Sequence, residues 1–516
     1  MKSIKVLVLP IFLSFLGMAQ DFSKENPEPG SYPFGEPGER TRGVFGKDDR
    51  KEVSEAYTYR EYVNATAVMI PSSSVEGDKI YGNTLREKLA RYYGTDSFGL
   101  DVQFLDQPTC GSCTGFLIAP DILVTAGHCI TTIEDAKDVI WVFDYTADRL
   151  YDRGEGYVTI PQENQFRVVE VLAAELDEDK VSDYSFLRLD RVAEREPYRF
   201  RSSGKVGLYS ELATIGSPTG LPLKLANNSY VTANDNELWF KNDLDCFPGN
   251  SGGPVFDTDG WIEGILVRGA IIETDYELTG DYYYDDKCDC VHTVQFDTVL
   301  YTAGSQIHKI NKVPFQILTE AIYSNLHYAL ENGDRNSFAK WSVYTWVFNS
   351  TFTKERGRLE FVALNYNRLD EVTSILGMTK ELNAKNKEGE TLLNVALEKR
   401  SRGIVQYLLN NGASPNMVNS DGTSPLFIAI NTGEPEVLAS LVQNGARTSI
   451  QDESGNTPLH LLAKQGLGNL LASLGELPKS SFMIKNNDGY TPRKLAKING
   501  YKSLSKRLKR AAKIAD

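Results

Sequence analysis

Positive charge is in short supply in this 516-residue chain. Fifty-five Lys and Arg stand against 69 Asp and Glu, a net charge of −14 at pH 7. A phosphate-binding surface needs clustered Lys and Arg, so a nucleic-acid partner is not expected. Long apolar runs are scarce too: beyond the first twenty residues, no stretch is apolar enough to cross a bilayer. Histidine is rare, with five residues at 128, 292, 308, 327 and 460, so any chemistry that needs an imidazole has few sources. Otherwise the composition is that of a globular protein, 41% hydrophobic and 24% charged. The length exceeds what one core supports, so two or more domains are expected.

The ends of the chain are informative. Lys2 and Lys5 precede the apolar run Val6–Leu16, and Gly17-Met18-Ala19 offers a small-residue cleavage site. Residues 1–19 therefore have the pattern of a secretory signal peptide, and a secreted or periplasmic protein free of the membrane is expected. Residues 20–43 are rich in Pro, Gly, Glu and Ser and cannot bury a core. They form either a flexible leader or a propeptide removed near Arg42.

Gly249-Asn250-Ser251-Gly252-Gly253-Pro254 is the most distinctive stretch. Its glycines permit a sharp turn and close approach of a substrate. Such a turn aims the amides of Gly249 and Ser251 at one point, where a developing oxyanion can sit. Serine is a weak nucleophile and needs an adjacent base. Only His128 precedes Ser251, at the end of the apolar run Leu123-Val124-Thr125-Ala126-Gly127. A carboxylate must hold the other ring nitrogen. Asp183 is the candidate, because Asp183-Tyr184-Ser185-Phe186-Leu187-Arg188-Leu189 places it at the mouth of a half-buried strand.

The order His, Asp, Ser, each in this context, resembles the trypsin-like (chymotrypsin-fold) serine proteases. Thr125–Cys129 is similar to their histidine box, Gly249–Pro254 to their serine box and Asp183–Leu189 to their aspartate strand. Thr214–Pro218 resembles a turn of the second barrel, and Gly264–Gly269 the strand along which substrate lies. Gly43–Arg50 is similar to the mature N-terminus of the glutamyl-endopeptidase branch. The resemblance covers about 44–301. It implies a protease domain at 44–305, built as two six-stranded antiparallel β-barrels with the catalytic groups between them. His128, Asp183 and Ser251 would be catalytic, the Gly249 and Ser251 amides the oxyanion hole, and neither metal nor cofactor would be required. Asp245 would accept a basic P1 side chain in a trypsin-like register, and Arg268 an acidic one; the sequence leaves both open. Asn250 replaces the aspartate that pairs with a freed N-terminal amine in trypsin. Asp275–Cys290 has the composition of a long surface loop.

Export would favour disulfides among Cys110, Cys113, Cys129, Cys246, Cys288 and Cys290. The resemblance implies a Cys113–Cys129 bridge. It also implies that Cys246 pairs with Cys288 or Cys290, leaving Cys110 the remaining partner. The alternative is a zinc site built from Cys110-x-x-Cys113 and Cys288-x-Cys290, with His292.

From about 306 to the C-terminus the pattern turns helical and repeats. Ala363, Ala396, Ala429, Ala463 and Ala496 recur every 33 or 34 residues, and Gly389, Gly422, Gly455 and Gly489 keep that period. Thr-Pro-Leu starts one helix and Asn-Gly-Ala ends the next. The units resemble ankyrin repeats, clearest over about 383–500, which implies an all-α solenoid and a C-terminal capping helix. His460 belongs to the repeat motif and is expected to bond backbone. A protein partner on the array is implied beside a peptide substrate for the protease. Three readings stay open: an exported endopeptidase, a degenerate protease scaffold that only binds, and an array that covers and inhibits the cleft.

Overall fold

The computed structural model describes residues 48, 50–55, 60–148, 156–177, 179–180, 182–268, 282–294 and 304–515. The expected signal peptide, the leader, Gly43–Lys47, Asp49 and Gly269 lie outside them. By internal contacts the chain divides into two compact units, one running to Ala321 and one from Ile322. Glu320, within the helix Phe315–Asn332, is ion-paired to Arg188 at 2.6 Å, which carries the first unit past residue 305.

The first unit contains two antiparallel barrels. The first uses β1 (Thr66–Pro71), β2 (Cys113–Ala119), β3 (Ile122–Thr125), β4 (Val139–Phe143), β5 (Gln165–Phe166), β6 (Val168–Asp177) and β7 (Ser182–Leu189). They pair in the order β6-β7-β3-β2-β1-β4-β5. Only Arg167 separates β5 from β6, so one bent strand pairs with both ends of the sheet and closes six strands into a ring. Every residue of β2 and β3 is buried. Pro120-Asp121, which cannot continue the ladder, turns one into the other.

The second barrel uses β8 (Glu211–Gly216), β9 (Lys224–Ala233), β10 (Trp239–Asn242), β11 (Pro254–Asp257), β12 (Ile262–Arg268) and β15 (Ser305–Lys309). They pair in the order β9-β8-β11-β12-β15-β10, and the β9–β10 pairing closes the ring. Leu212, Val231, Phe240, Val255, Leu266 and Ile307 fill its interior. The double six-stranded barrel expected from the sequence is therefore present. Between β12 and β15, β13 (Tyr282–Asp285) and β14 (Cys290–Thr293) form a hairpin. This corrects the reading of Asp275–Cys290 as a surface loop. Tyr282 is buried and packs with Phe247, Val291 and Leu89, and residues 275–281 lie outside the described residues.

The second unit is helical. Pairs of helices run Leu392–Glu398 with Arg402–Asn410, and Pro425–Thr432 with Pro435–Gln443. Pro458–Gln465 and Pro492–Ile498, the latter followed by Lys502–Ile514, continue the array. The unit around Ala363 is also a helix pair, Leu359–Asn365 with Leu369–Thr379. The recurring threonine earns its place at Thr391, whose hydroxyl caps the helix by accepting from the amide of Asn394. Gly412 and Gly445 adopt φ of 92° and 91°, left-handed values that end each second helix. His460 has the backbone role expected of it: Nδ1 accepts from the Thr457 amide at 3.1 Å, and Nε2–H donates to the Tyr490 carbonyl at 2.8 Å. That second bond joins one repeat to the next. The unit departs from the pattern at Gly468–Leu474, which is a 3₁₀ segment in place of a second α-helix. No helix among the described residues is long and apolar enough to cross a membrane.

Candidate active site

The sheet register of the first barrel brings two of the three candidate side chains together. Ser185 of β7 faces Thr125 of β3. Asp183 lies two residues before the first, and His128 three residues after the second. The His128 amide donates to Asp183 Oδ1 at 3.1 Å, and Nδ1 lies 2.7 Å from Asp183 Oδ2. An ionised carboxylate only accepts, so Nδ1 carries the proton and Nε2 keeps a lone pair. Asp183 is 2% exposed, whereas the His128 side chain is 36% exposed. The carboxylate is thus shielded from water while the ring opens to it. Gly127 allows this approach, because a Cβ there would collide with the Glu175 carbonyl.

Ser251 lies in the turn between β10 and β11, and its main chain is held by the first barrel. The Thr114 amide donates to the Ser251 carbonyl at 2.8 Å. Thr114 Oγ1–H donates to the Gly249 carbonyl at 2.7 Å and accepts from the Ser217 amide at 3.0 Å. Thr125 Oγ1–H donates to the Thr114 carbonyl at 2.8 Å. Gly249 and Gly252 adopt φ of 100° and 83°, the conformations that the glycines of the motif permit. Among the described residues the amides of Gly249 and Ser251 donate to no protein acceptor, so both remain available to one. No hydrogen bond joins Ser251 to the His128 ring among the described residues. Such contacts are often long in unliganded sites.

Cys113 is disulfide-bonded to Cys129. The bridge ties the histidine loop to the start of β2, one residue before Thr114, and Cys129 Sγ lies 3.7 Å from the Ser251 carbonyl. The other expected pairing is overturned. Cys288 bonds Cys290 across a single residue, and neither Cys110 nor Cys246 takes part in a disulfide among the described residues. Cys246 instead packs against the core of the second barrel, and Cys110 is buried against Gly82. The zinc alternative fails in its full form for the same reason, since Cys113 is committed to Cys129.

The two specificity candidates are placed differently. Asp245 is 2% exposed and contributes to the field on Arg50. Burial alone would lower the Arg50 guanidinium, but hydrogen bonding and charge from Asp48, with Tyr282 and Asp245, hold it above its ordinary value. Arg50 Nε and Nη2 donate to the two Asp48 oxygens at 2.8 and 2.6 Å, and its Cζ lies 3.6 Å from the Phe247 ring centre. Arg268 ends β12, half-buried, opposite Gln306. Asp48 and Arg50 belong to the Gly43–Arg50 segment that resembles a mature N-terminus, but the sequence does not single out either side chain or its place near Asp245.

His308 of β15 also bears on the site. It is fully buried, its ring centre 5.3 Å from that of Tyr184, beside Asp183 in sequence. Burial pushes its imidazole down to about 4, against the opposing pull of Asp183 and Glu175. It is therefore neutral near pH 7 and adds no second cation behind the His128–Asp183 pair.

Comparison with known sequences agrees with this architecture. Residues 113–265 match the trypsin-like peptidase domain, and residues 359–452 match ankyrin repeats in three copies. A relative, the uncharacterized protein y4fB of Sinorhizobium fredii, is 32% identical over 170 residues. That alignment takes in 29% of this chain and only 24% of the relative. The matched peptidase segment contains His128, Asp183 and Ser251, and the chain is thus a trypsin-like peptidase domain followed by ankyrin repeats.

Proposed function

We propose that the protein is an exported serine endopeptidase that works through His128, Asp183 and Ser251. Ser251 Oγ attacks the scissile carbonyl while His128 Nε2 takes its proton. The tetrahedral oxyanion is met by the Gly249 and Ser251 amides, a contribution of about 3–4 kcal/mol per donor in such sites. His128 then gives the proton to the leaving amine, and water releases the acyl-enzyme by the reverse path. Asp183 holds the ring in the required tautomer and stabilises the imidazolium. The observation that carries this reading is the 2.7 Å contact between Asp183 Oδ2 and His128 Nδ1, beside a serine turn whose two amides are unused.

Asp245 is buried and lies in the field of Arg50, which makes it a poor partner for a basic P1 side chain. Arg50 keeps a buried Nη1 with no hydrogen-bond partner among the described residues, which with Arg268 favours an acidic P1. Asn250 is uncharged and cannot form an ion pair with a freed N-terminal amine, so activation does not rest on trypsin's salt bridge. The ankyrin array binds a protein, either a substrate or a regulator.

A fluorophosphonate probe tests the activity. Labelling of the processed protein that disappears in Ser251→Ala supports the enzyme; absence of labelling in every processed form leaves a protein-binding scaffold. Digestion of a mixed peptide library then reports the P1 residue, and cleavage after Lys or Arg would refute the reading of Asp245.

A further inference from the structure

Two groups of Cys and His side chains lie within metal-ligand distance of one another among the described residues. One is Cys113, His128 and Cys129, which belongs to the site above. The other, Cys288, Cys290 and His292, sits on the β13–β14 hairpin and has no part in the proposed reaction. Their ligand atoms all fall within 4.8 Å of one another. The spacing explains why. Cys290 and His292 stand two apart on β14 and so share one face, and the turn before it, with Asp289 at φ of 52°, brings Cys288 to the same side.

The histidine is elaborately held. Its Nδ1 lies 2.7 Å from Asp101 Oδ1, while Asp101 Oδ2 accepts from the Thr293 amide at 2.7 Å. Thr293 Oγ1–H donates in turn to the Asp101 carbonyl at 3.0 Å. The Tyr283 ring stacks on the imidazole from the paired strand, with ring centres 5.6 Å apart. The carboxylate therefore fixes the proton on Nδ1 and aims the Nε2 lone pair at the sulfurs, 3.1 Å from Cys290 Sγ and 3.5 Å from Cys288 Sγ.

A disulfide makes no use of this arrangement. It has no proton to give to Nε2, and one that closes so short a loop restricts the unfolded chain little. A metal-bound pair of thiolates does use it. A carboxylate orienting a histidine whose other nitrogen ligates the ion is the usual outer support of a metal centre. Cys288 is exposed and gives an ion access; Cys290 is 7% exposed and His292 is half-buried, which shields the ion once bound.

We propose that Cys288, Cys290 and His292 form a redox-gated site for a thiophilic divalent ion, zinc by its ligand set, with Asp101 as the positioning residue. A small thiol opens the site. Its thiolate attacks one sulfur of the Cys288–Cys290 bond, and a second thiol resolves the mixed disulfide, so two RSH become RSSR and two cysteine thiols form. Zinc binding then releases both thiol protons to solvent. Three protein ligands leave the fourth tetrahedral position to water.

The test uses the full chain with Ser251→Ala to prevent self-digestion, titrated with Co²⁺ before and after reduction by a phosphine, which does not itself supply thiolate. The expected result is one Co²⁺ per chain, with a thiolate-to-cobalt charge-transfer band that appears only after reduction and is displaced by Zn²⁺. Cys288→Ser and His292→Ala should each remove the band or weaken binding at least ~10-fold, and Asp101→Asn should weaken it by about 10–100-fold. Cys288 is exposed, so its replacement by serine leaves the fold intact. A reduced, folded protein without the band overturns the proposal. So does a band that survives Cys288→Ser but is lost in Cys129→Ser, which would put the ion at Cys113, Cys129 and His128.

Discussion

Acidification is expected to loosen the β unit through His308. This imidazole is buried between β15 and Tyr184, with a folded value of about 4 against 6.5 in the unfolded chain. The folded value is the lower one. Between these two pH values the unfolded chain binds a proton that the folded chain refuses, so stability rises with pH across the window. The contribution is complete above pH 6.5, declines as pH falls, and is gone below pH 4. At 1.36 kcal/mol per unit, the shift corresponds to about 3 kcal/mol over the full window. The assay is urea denaturation of Ser251→Ala protein at steps from about pH 7 to about pH 4.5, in parallel with a His308→Phe variant of the same background. Phenylalanine keeps a ring against Tyr184 but cannot take a proton. Other groups titrate in both proteins, including Asp257, whose carboxyl is raised by burial, and they cancel in the difference. A parent that loses roughly 2–3 kcal/mol more than the variant as pH falls is the expected result. Parallel pH profiles would refute the reasoning.

Removing the Cys113–Cys129 bridge by a double alanine substitution should cost about 3 kcal/mol, because the bond closes a loop of sequence separation 16. Chemical denaturation measures it, and a loss under ~1 kcal/mol would mean that the unfolded chain is not what the bridge constrains. Gly252→Ala should destabilise by about 1–3 kcal/mol and abolish fluorophosphonate labelling: φ is 83°, and the added carbon would collide with Thr125 Oγ1 and the Thr114 carbonyl. Asp183→Asn should leave the fold standing yet lower kcat by about 10⁴-fold, because the ring loses the acceptor that selects its tautomer. In the array, His460→Ala should lower stability by about 1–3 kcal/mol, since it strands the Tyr490 carbonyl and the Thr457 amide together; a thermal melt reads the change.

The fold and the His–Asp pair were legible because their signals are local. Asp183 stands at the start of one strand and His128 just past the end of another, and β pairing brings those ends together. The ankyrin period is likewise written in single residues, Gly389 through Gly489, each fixing one turn. What stayed hidden depends on distant partners. No spacing rule indicates that Arg50 answers Asp245, or that Asp101 reaches His292. Cys246 stands near the serine turn in sequence, which suggested a bridge to Cys288 or Cys290. The segment after β10 instead packs its side chain against the second barrel's core, while Cys288 and Cys290 share one side of their hairpin. The Asp275–Cys290 segment carries loop-like Tyr and Asp, yet Tyr282 is drawn inward by Phe247, and that burial makes a strand of the residues after it.

Thr114 has a consequence of its own. It belongs to the first barrel, yet its amide and hydroxyl grip the carbonyls on either side of Asn250 in the second, and the neighbouring cysteine anchors the base. Nucleophile and base are thus registered to adjacent residues of a single strand, like two instruments bolted to one rail. A shear between the barrels would not merely widen the cleft; it would unfasten the serine turn itself, so alignment of the reacting groups and cohesion of the two halves must rise and fall as one property.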